Sequence, residues 1–206
     1  MKKFVLIIII FIVCLCMPSV YAENNSDNLD LIKKIGQCER PLTDSEKGKI
    51  ILHGDSISVF EGELQQVAER NKLTGNDNAE ERAKEYLLHR EALYQKALAA
   101  GYNVTDDEVY AMIEKQKNDY HTVDLNPEDV NAYFEGMGMT IDEYWDSQFD
   151  NLKKEMITNK YVSSQKAKFA KENSISEWND DTRNDFQVEI SKIADTYIAS
   201  DHVKAN

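Results

Sequence analysis

The sequence predicts a nearly all-α fold: a multi-helix array with one short strand or hairpin near residues 49–58 and a C-terminal helix that returns to the body. Three observations predict it. Apolar residues recur at three- and four-residue spacing along most of the chain, which marks helices with one buried side. Ser, Thr or Asp followed three positions later by Glu opens several of these runs, as capping boxes do. Only the stretch around Ile50-Ile51-Leu52 has the β-branched, turn-flanked character of a strand.

In chain order, residues 1–22 read as a leader. Lys2 and Lys3 form a positive start, residues 4–17 are uncharged and apolar, and Val20-Tyr21-Ala22 supplies small residues for cleavage after Ala22. The apolar run is short for a membrane span, which takes about 20 residues, and an uncleaved anchor is the alternative. Cys14 follows Val13 and Cys16 follows Leu15, which argues against a lipoprotein signal. The chain is therefore expected outside the cytoplasm. Cys38 is then the one remaining cysteine, a loop thiol with no internal disulfide partner.

Residues 23–48 are expected to form a tether and a short helix. Residues 23–28 are polar and read as disordered. Leu29, Ile32 and Ile35 give a helix ended by Gly36, and residues 37–48, with Pro41, Thr43, Asp44 and Ser45, read as a loop. The helical domain spans 49–206. Ser58 and Glu61 suggest a cap for a helix to about Leu73, with Phe60, Leu64, Val67 and Ala68 inward. Asp77 and Glu80 suggest the next cap. The helix that follows organises the rest: Ala83, Tyr86, Leu87, Leu93, Tyr94, Ala97 and Leu98 mark its buried side, and Gly101 stops it.

Thr105-Asp106-Asp107-Glu108 is a capping box opening a helix to about Asn118, with Val109, Met112 and Ile113 inward. Asn126-Pro127 opens the next, with proline at its first position, and Gly136 and Gly138 are read as its end. Thr140 and Glu143 open the longest helix, to about Glu172, apolar in its first half and polar in its second. A last helix over 182–199 carries Phe186, Val188, Ile190, Ile193, Ala194, Tyr197 and Ile198 and is expected to pack back on the body.

Charge and motifs exclude more than they assign. Without Lys2 and Lys3 the balance is 22 basic to 37 acidic residues, a net −15. That argues against nucleic acid and anionic membrane surfaces as partners, the anchor alternative aside. His53, His89, His121 and His202 fall in four separate segments with no second ligand at metal spacing, so no metal or cofactor is expected. No nucleophile elbow, P-loop or dinucleotide fingerprint is present, and no residue is assigned a catalytic role. Tyr133, Phe134, Met137, Met139, Tyr144 and Trp145 crowd one helix–turn–helix corner. Such side chains form an adaptable surface for varied partners or an ordinary core. Met137 and Met139, placed in the turn, are expected to be the more exposed.

The order of pieces resembles a known family. The strand region Ile50-Ile51-Leu52-His53-Gly54-Asp55-Ser56-Ile57 precedes the pattern Tyr86-Leu87-Leu88…Leu93-Tyr94…Ala97. Gly101-Tyr102-Asn103-Val104-Thr105-Asp106-Asp107-Glu108-Val109 follows, then Met139-Thr140-Ile141-Asp142-Glu143-Tyr144 and Lys153-Lys154-Glu155-Met156-Ile157. Over roughly 49–171 this resembles the N-terminal chaperone domain of SurA and PrsA-like foldases, extracytoplasmic proteins that hold unfolded exported chains. Members with isomerase activity insert a parvulin domain before the returning helix; here only about a dozen residues separate the two helices. The resemblance implies a chaperone domain without an isomerase. The expectation is an exported, ATP-independent holdase whose partners are unfolded exported polypeptides, met at the Tyr133–Trp145 corner. A scaffold for one specific envelope partner is the alternative, and a peptidyl-prolyl isomerase a third reading disfavoured by the missing domain.

Overall fold

The computed structural model describes residues 25–206; the expected leader and the first residues of the expected tether lie outside them. The fold is nearly all-α, nine helices and a small three-stranded sheet among the described residues. The helices are α1 (Asn25–Glu39), α2 (Asp44–Lys47), α3 (Glu61–Leu73), α4 (Ala79–Ala99), α5 (Asp106–Tyr120), α6 (Pro127–Met137), α7 (Ile141–Ser147), α8 (Phe149–Glu172) and α9 (Asp180–Ser200). The strands are β1 (Ile50–His53), β2 (Ser58–Phe60) and β3 (Lys204–Ala205).

Helix α4 is the centre, with α3, α8 and α9 packed around it. Its buried side is mainly alanine: Ala79, Ala83, Ala92 and Ala97, with Leu87. Small side chains let three neighbours approach one helix closely. Tyr86 and Leu98, expected inward, are 48% and 40% exposed. The apolar body of tyrosine sorts with core residues in a periodicity count, while its hydroxyl tolerates water.

Three apolar clusters hold the array. The hairpin residues Leu52, Ile57 and Val59 pack on Leu87 and Ala92 of α4 and Ala194 of α9. Ile32 and Ile35 of α1 pack on Val130, Tyr133, Phe134 and Met137 of α6. Ala97, Val104, Val109 and Ile113 meet Trp145, Leu152, Ile157 and Tyr161.

Local chemistry sets several boundaries as expected. Thr105 accepts from the Glu108 amide while the Glu108 carboxylate accepts from the Thr105 amide, and Thr140 and Glu143 repeat the arrangement. Asn126 caps α6 with Pro127 next to it. Others differ. Ser58 lies in β2, and α3 begins three residues later, with Glu63 reaching back to the Phe60 amide. Asn78, in a left-handed conformation at φ 57°, takes the place expected of Asp77. Residues 37–39 of the expected loop, Cys38 among them, end α1 instead, and the rest of it contains the single turn α2, boxed by Thr43 and Glu46. Residues 25–28, expected to be disordered, begin α1.

Gly36 does not end α1, and Gly136 does not end α6; both lie inside their helices, and α6 stops at the left-handed Gly138. The expected single helix from Ile141 to Glu172 is two, meeting at Gln148. There the Ser147 hydroxyl donates back to the Tyr144 carbonyl and the Gln148 amide bonds Trp145, three residues back. Such back-bonding competes with the regular ladder and bends a helix.

The polar second half of α8 pairs with the start of α9 through Phe169, Trp178 and Phe186, with the Lys166 ammonium 4.6 Å from the Trp178 ring centre. Beyond α9, β3 joins the free side of β1, so the sheet order is β2-β1-β3. A two-residue strand carries no period, and the hairpin alone was expected.

Candidate functional site

Helices α1, α3, α4, α6, α7 and α8 enclose an open trough of about 440 Å³. Each wall is one helix face. On α3 the face is Glu63, Gln66, Val67 and Arg70; on α4 it is Tyr86, Leu87 and Arg90. Residues three, four and seven apart share a side of a helix. The end of α1 and the turn after it contribute Glu39, Arg40, Pro41 and Leu42, and the α7–α8 bend brings Tyr144, Ser147, Gln148 and Asn151 to the far wall.

The trough continues past Arg70, Tyr86 and Arg90 into a recess of about 520 Å³ between α3, α4 and α9. Arg82, Glu85, His89 and Leu93 of α4 line it with Gln187 and Ser191 of α9. Tyr86 stands at the junction, its ring about half exposed.

Ion pairs fix the walls. Arg70 reaches Glu39 at 3.4 Å, and Glu39 also accepts from the Tyr133 hydroxyl. Arg90 contacts Glu63 at 3.2 Å and Glu91 at 3.1 Å. Glu91 is 7% exposed and is also met by Lys154 at 3.3 Å, so this buried carboxylate is held between two cations. A buried charge persists only with such partners. Burial pulls the Arg90 guanidinium down, but Glu91 and Glu63 outweigh it and hold its pKa above the usual value. Glu155 is the opposite case. Burial at the trough wall raises its carboxyl pKa, against one weak hydrogen bond from Asn159 at 3.5 Å. The Cys38 thiol at the rim is raised too, by burial and by Glu69 and Glu39.

The sequence-expected corner divides. Tyr133, Phe134, Met137 and Trp145 are buried, at 3–8% exposure, and Met139 is half-buried. The corner is chiefly core, and Met137 in particular closes the α1–α6 cluster rather than facing outward. Tyr133 and Tyr144 do reach the trough wall. The missed residues are Arg70, Arg82, Tyr86 and Arg90. The signal available was Arg82-x-x-x-Tyr86-x-x-x-Arg90, three residues four apart on one helix in a chain with five arginines.

No set of groups suited to covalent catalysis converges among the described residues. His89 is 2.9 Å from Asp195, and Ser191 lines the same recess but makes no hydrogen bond to the ring. His202 pairs with Asp55 at 3.0 Å on the surface. Among the described residues no group of three or more His, Cys, Asp or Glu has metal-holding geometry, and no described helix is long and apolar enough to cross a membrane.

No family model matches the chain, and no curated protein or solved structure was found similar to it.

Proposed function

We propose that the chain is an exported, ATP-independent holdase-like chaperone that binds extended stretches of unfolded exported polypeptide in the trough, without isomerase chemistry. The observation that carries this reading is the trough itself. It is open, and it offers aromatic and aliphatic surface (Tyr86, Tyr144, Leu42, Val67) between fixed arginine–glutamate pairs. Burying client apolar surface against those side chains supplies a non-directional driving force. The flanking polar groups accommodate main-chain donors and acceptors without demanding one sequence. The resemblance of 49–171 to SurA and PrsA-like chaperone domains supports the same reading, as does the leader expected at 1–22. The client contacts are Tyr86 and Tyr144 rather than the buried Tyr133, Phe134, Met137 and Trp145.

The test uses protein purified after export, mixed with several unrelated, chemically unfolded proteins as they are diluted into buffer without nucleotide. Light scattering is expected to fall for every client at near-stoichiometric ratios, and Tyr86→Ala is expected to weaken the effect while leaving the fold intact. No suppression for any client contradicts the holdase reading and favours a scaffold for one envelope partner.

A further inference from the structure

We propose that the recess between α3, α4 and α9 is a carboxylate-binding site, so that the polypeptide stretches held there are acidic, with an aromatic or aliphatic side chain between two carboxylates. This rests on the trough being a polypeptide-binding surface and names the class of segment it selects.

The first observation is a concentration of arginine: cations and carboxylates balance over the trough and recess together, and the excess of cations lies in the recess. The chain carries a net −13, yet four of its five arginines, Arg40, Arg70, Arg82 and Arg90, line the trough and its recess. Within the recess Arg70, Arg82 and Arg90 stand against one lining carboxylate, Glu85. Asp195 of α9 is not among the lining residues and contacts His89 at 2.9 Å. The choice of arginine matters in a chain otherwise rich in lysine, because a guanidinium presents a planar fork of donors that fits a carboxylate.

The second observation is spare donor capacity. Arg82 makes no ion pair among the described residues; its nearest polar contact is the Asn76 side-chain oxygen at 3.4 Å. Arg70 gives one contact to Glu39 and Arg90 one each to Glu63 and Glu91. A guanidinium has five N–H donors, so these pairs hold the groups in place and leave others for a guest. Asn71, which also lines the recess, is positioned by donating to the Ala79 carbonyl, which ties α3 to the start of α4.

The third observation is spacing. Arg82, Tyr86 and Arg90 succeed one another four residues apart on α4. Four residues advance a helix by about 6 Å. Alternate side chains of an extended chain on one side are about 6.7 Å apart. An extended segment lying along α4 therefore sets side chains i, i+2 and i+4 opposite Arg82, Tyr86 and Arg90 in turn. The pattern that fits is acid–x–aromatic–x–acid, and its symmetry serves either chain direction.

The test compares three fluorescent peptides of equal length, Asp-x-Phe-x-Asp, Asn-x-Phe-x-Asn and Lys-x-Phe-x-Lys, by anisotropy on protein purified after export. The acidic peptide is expected to bind at least about tenfold tighter than its amide counterpart, with the gap narrowing as salt rises. Arg82→Gln, at an exposed position, is expected to close most of that gap with the circular dichroism and melting unchanged. Equal binding of acidic and amide peptides, or an Arg82→Gln protein that still discriminates, overturns the carboxylate site and leaves the holdase reading standing. No binding of any peptide, together with no protection of unfolded clients, overturns both.

Discussion

Gly36 and Gly136 face each other across the crossing of α1 and α6, each standing where the partner helix's backbone leaves no room for a side chain. A Cβ on Gly36 would lie 2.2 Å from the Tyr133 carbonyl oxygen, and one on Gly136 would lie 1.9 Å from the Lys33 carbonyl oxygen. The contact is reciprocal, and the Lys33–Glu135 ion pair lies beside it. It seats Ile32 and Ile35 against Tyr133, Phe134 and Met137, and so sets where the end of α1 meets the trough.

Alanine at either glycine tests that relationship. In an isolated helix Gly→Ala gains about 1 kcal/mol. Here the clash is with backbone, which cannot rotate away, and overpacking outweighs the gain. Gly36→Ala and Gly136→Ala are each expected to cost on the order of 3 kcal/mol, read as a shift in the urea midpoint with little change in slope. A neutral or stabilising result would mean the helices do not cross this closely.

Asp201 closes the fold at its other end. Its carboxylate, 5% exposed, accepts from the Ser56 amide at 2.9 Å, the Ser56 hydroxyl at 2.6 Å and the Ile57 amide at 2.9 Å. Gly54 permits this approach, since a Cβ there would lie 2.1 Å from the carboxylate. Asp201→Ala leaves the buried Ile57 amide unsatisfied and is expected to cost about 2 kcal/mol. Hydrogen exchange is expected to speed first at residues 52–60 and 204–205.

These two relationships show where the sequence was legible. Thr105 with Glu108, Asn126 with Pro127, and Thr140 with Glu143 act on their own neighbours, so their pattern is readable without the fold. Gly36 and Gly136 are not: a glycine that ends a helix and one that lets another helix approach look alike until the partner is known. Burial of Asp201 depends on a hairpin more than 140 residues away. The site was half legible for the same reason. Tyr133 and Tyr144 stand out as aromatics, while the periodicity places Tyr86 inward and nothing in it singles out the arginines around it.

Acid is expected to act in one sense on Glu46 and Glu108 and in the opposite sense on Glu155. Glu46 and Glu108 are held down to about 2, the first by Arg40 and Thr43 and the second by Lys160 and Thr105. A lowered folded-state pKa contributes stability above the ordinary carboxyl value near 4.5 that drains as pH falls toward 2. Glu108→Gln is therefore expected to be less stable than the parent at pH 7, with the difference closing near pH 2. A difference that persists at pH 2 would place the effect elsewhere than in the charge.

Glu155 reverses the sign. Its raised pKa means the folded state pays to ionise it, so its contribution is favourable below about 4.5 and is lost as pH rises through the folded value. Glu155→Gln is expected to raise the melting temperature at pH 7 and to leave it unchanged at pH 4. Destabilisation at pH 7 would show that the ionised carboxylate has a compensating partner.

The central claim is that the trough and its recess receive unfolded polypeptide. Amide hydrogen exchange, compared with and without an unfolded client held under non-aggregating conditions, tests it most directly. Slower exchange is expected in residues 38–42, 61–73 and 79–93, the segments forming those walls, with α5 (Asp106–Tyr120) unchanged. Protection confined to α5 or to the outer half of α8, or none at all while the client remains bound, would contradict the assignment of this surface.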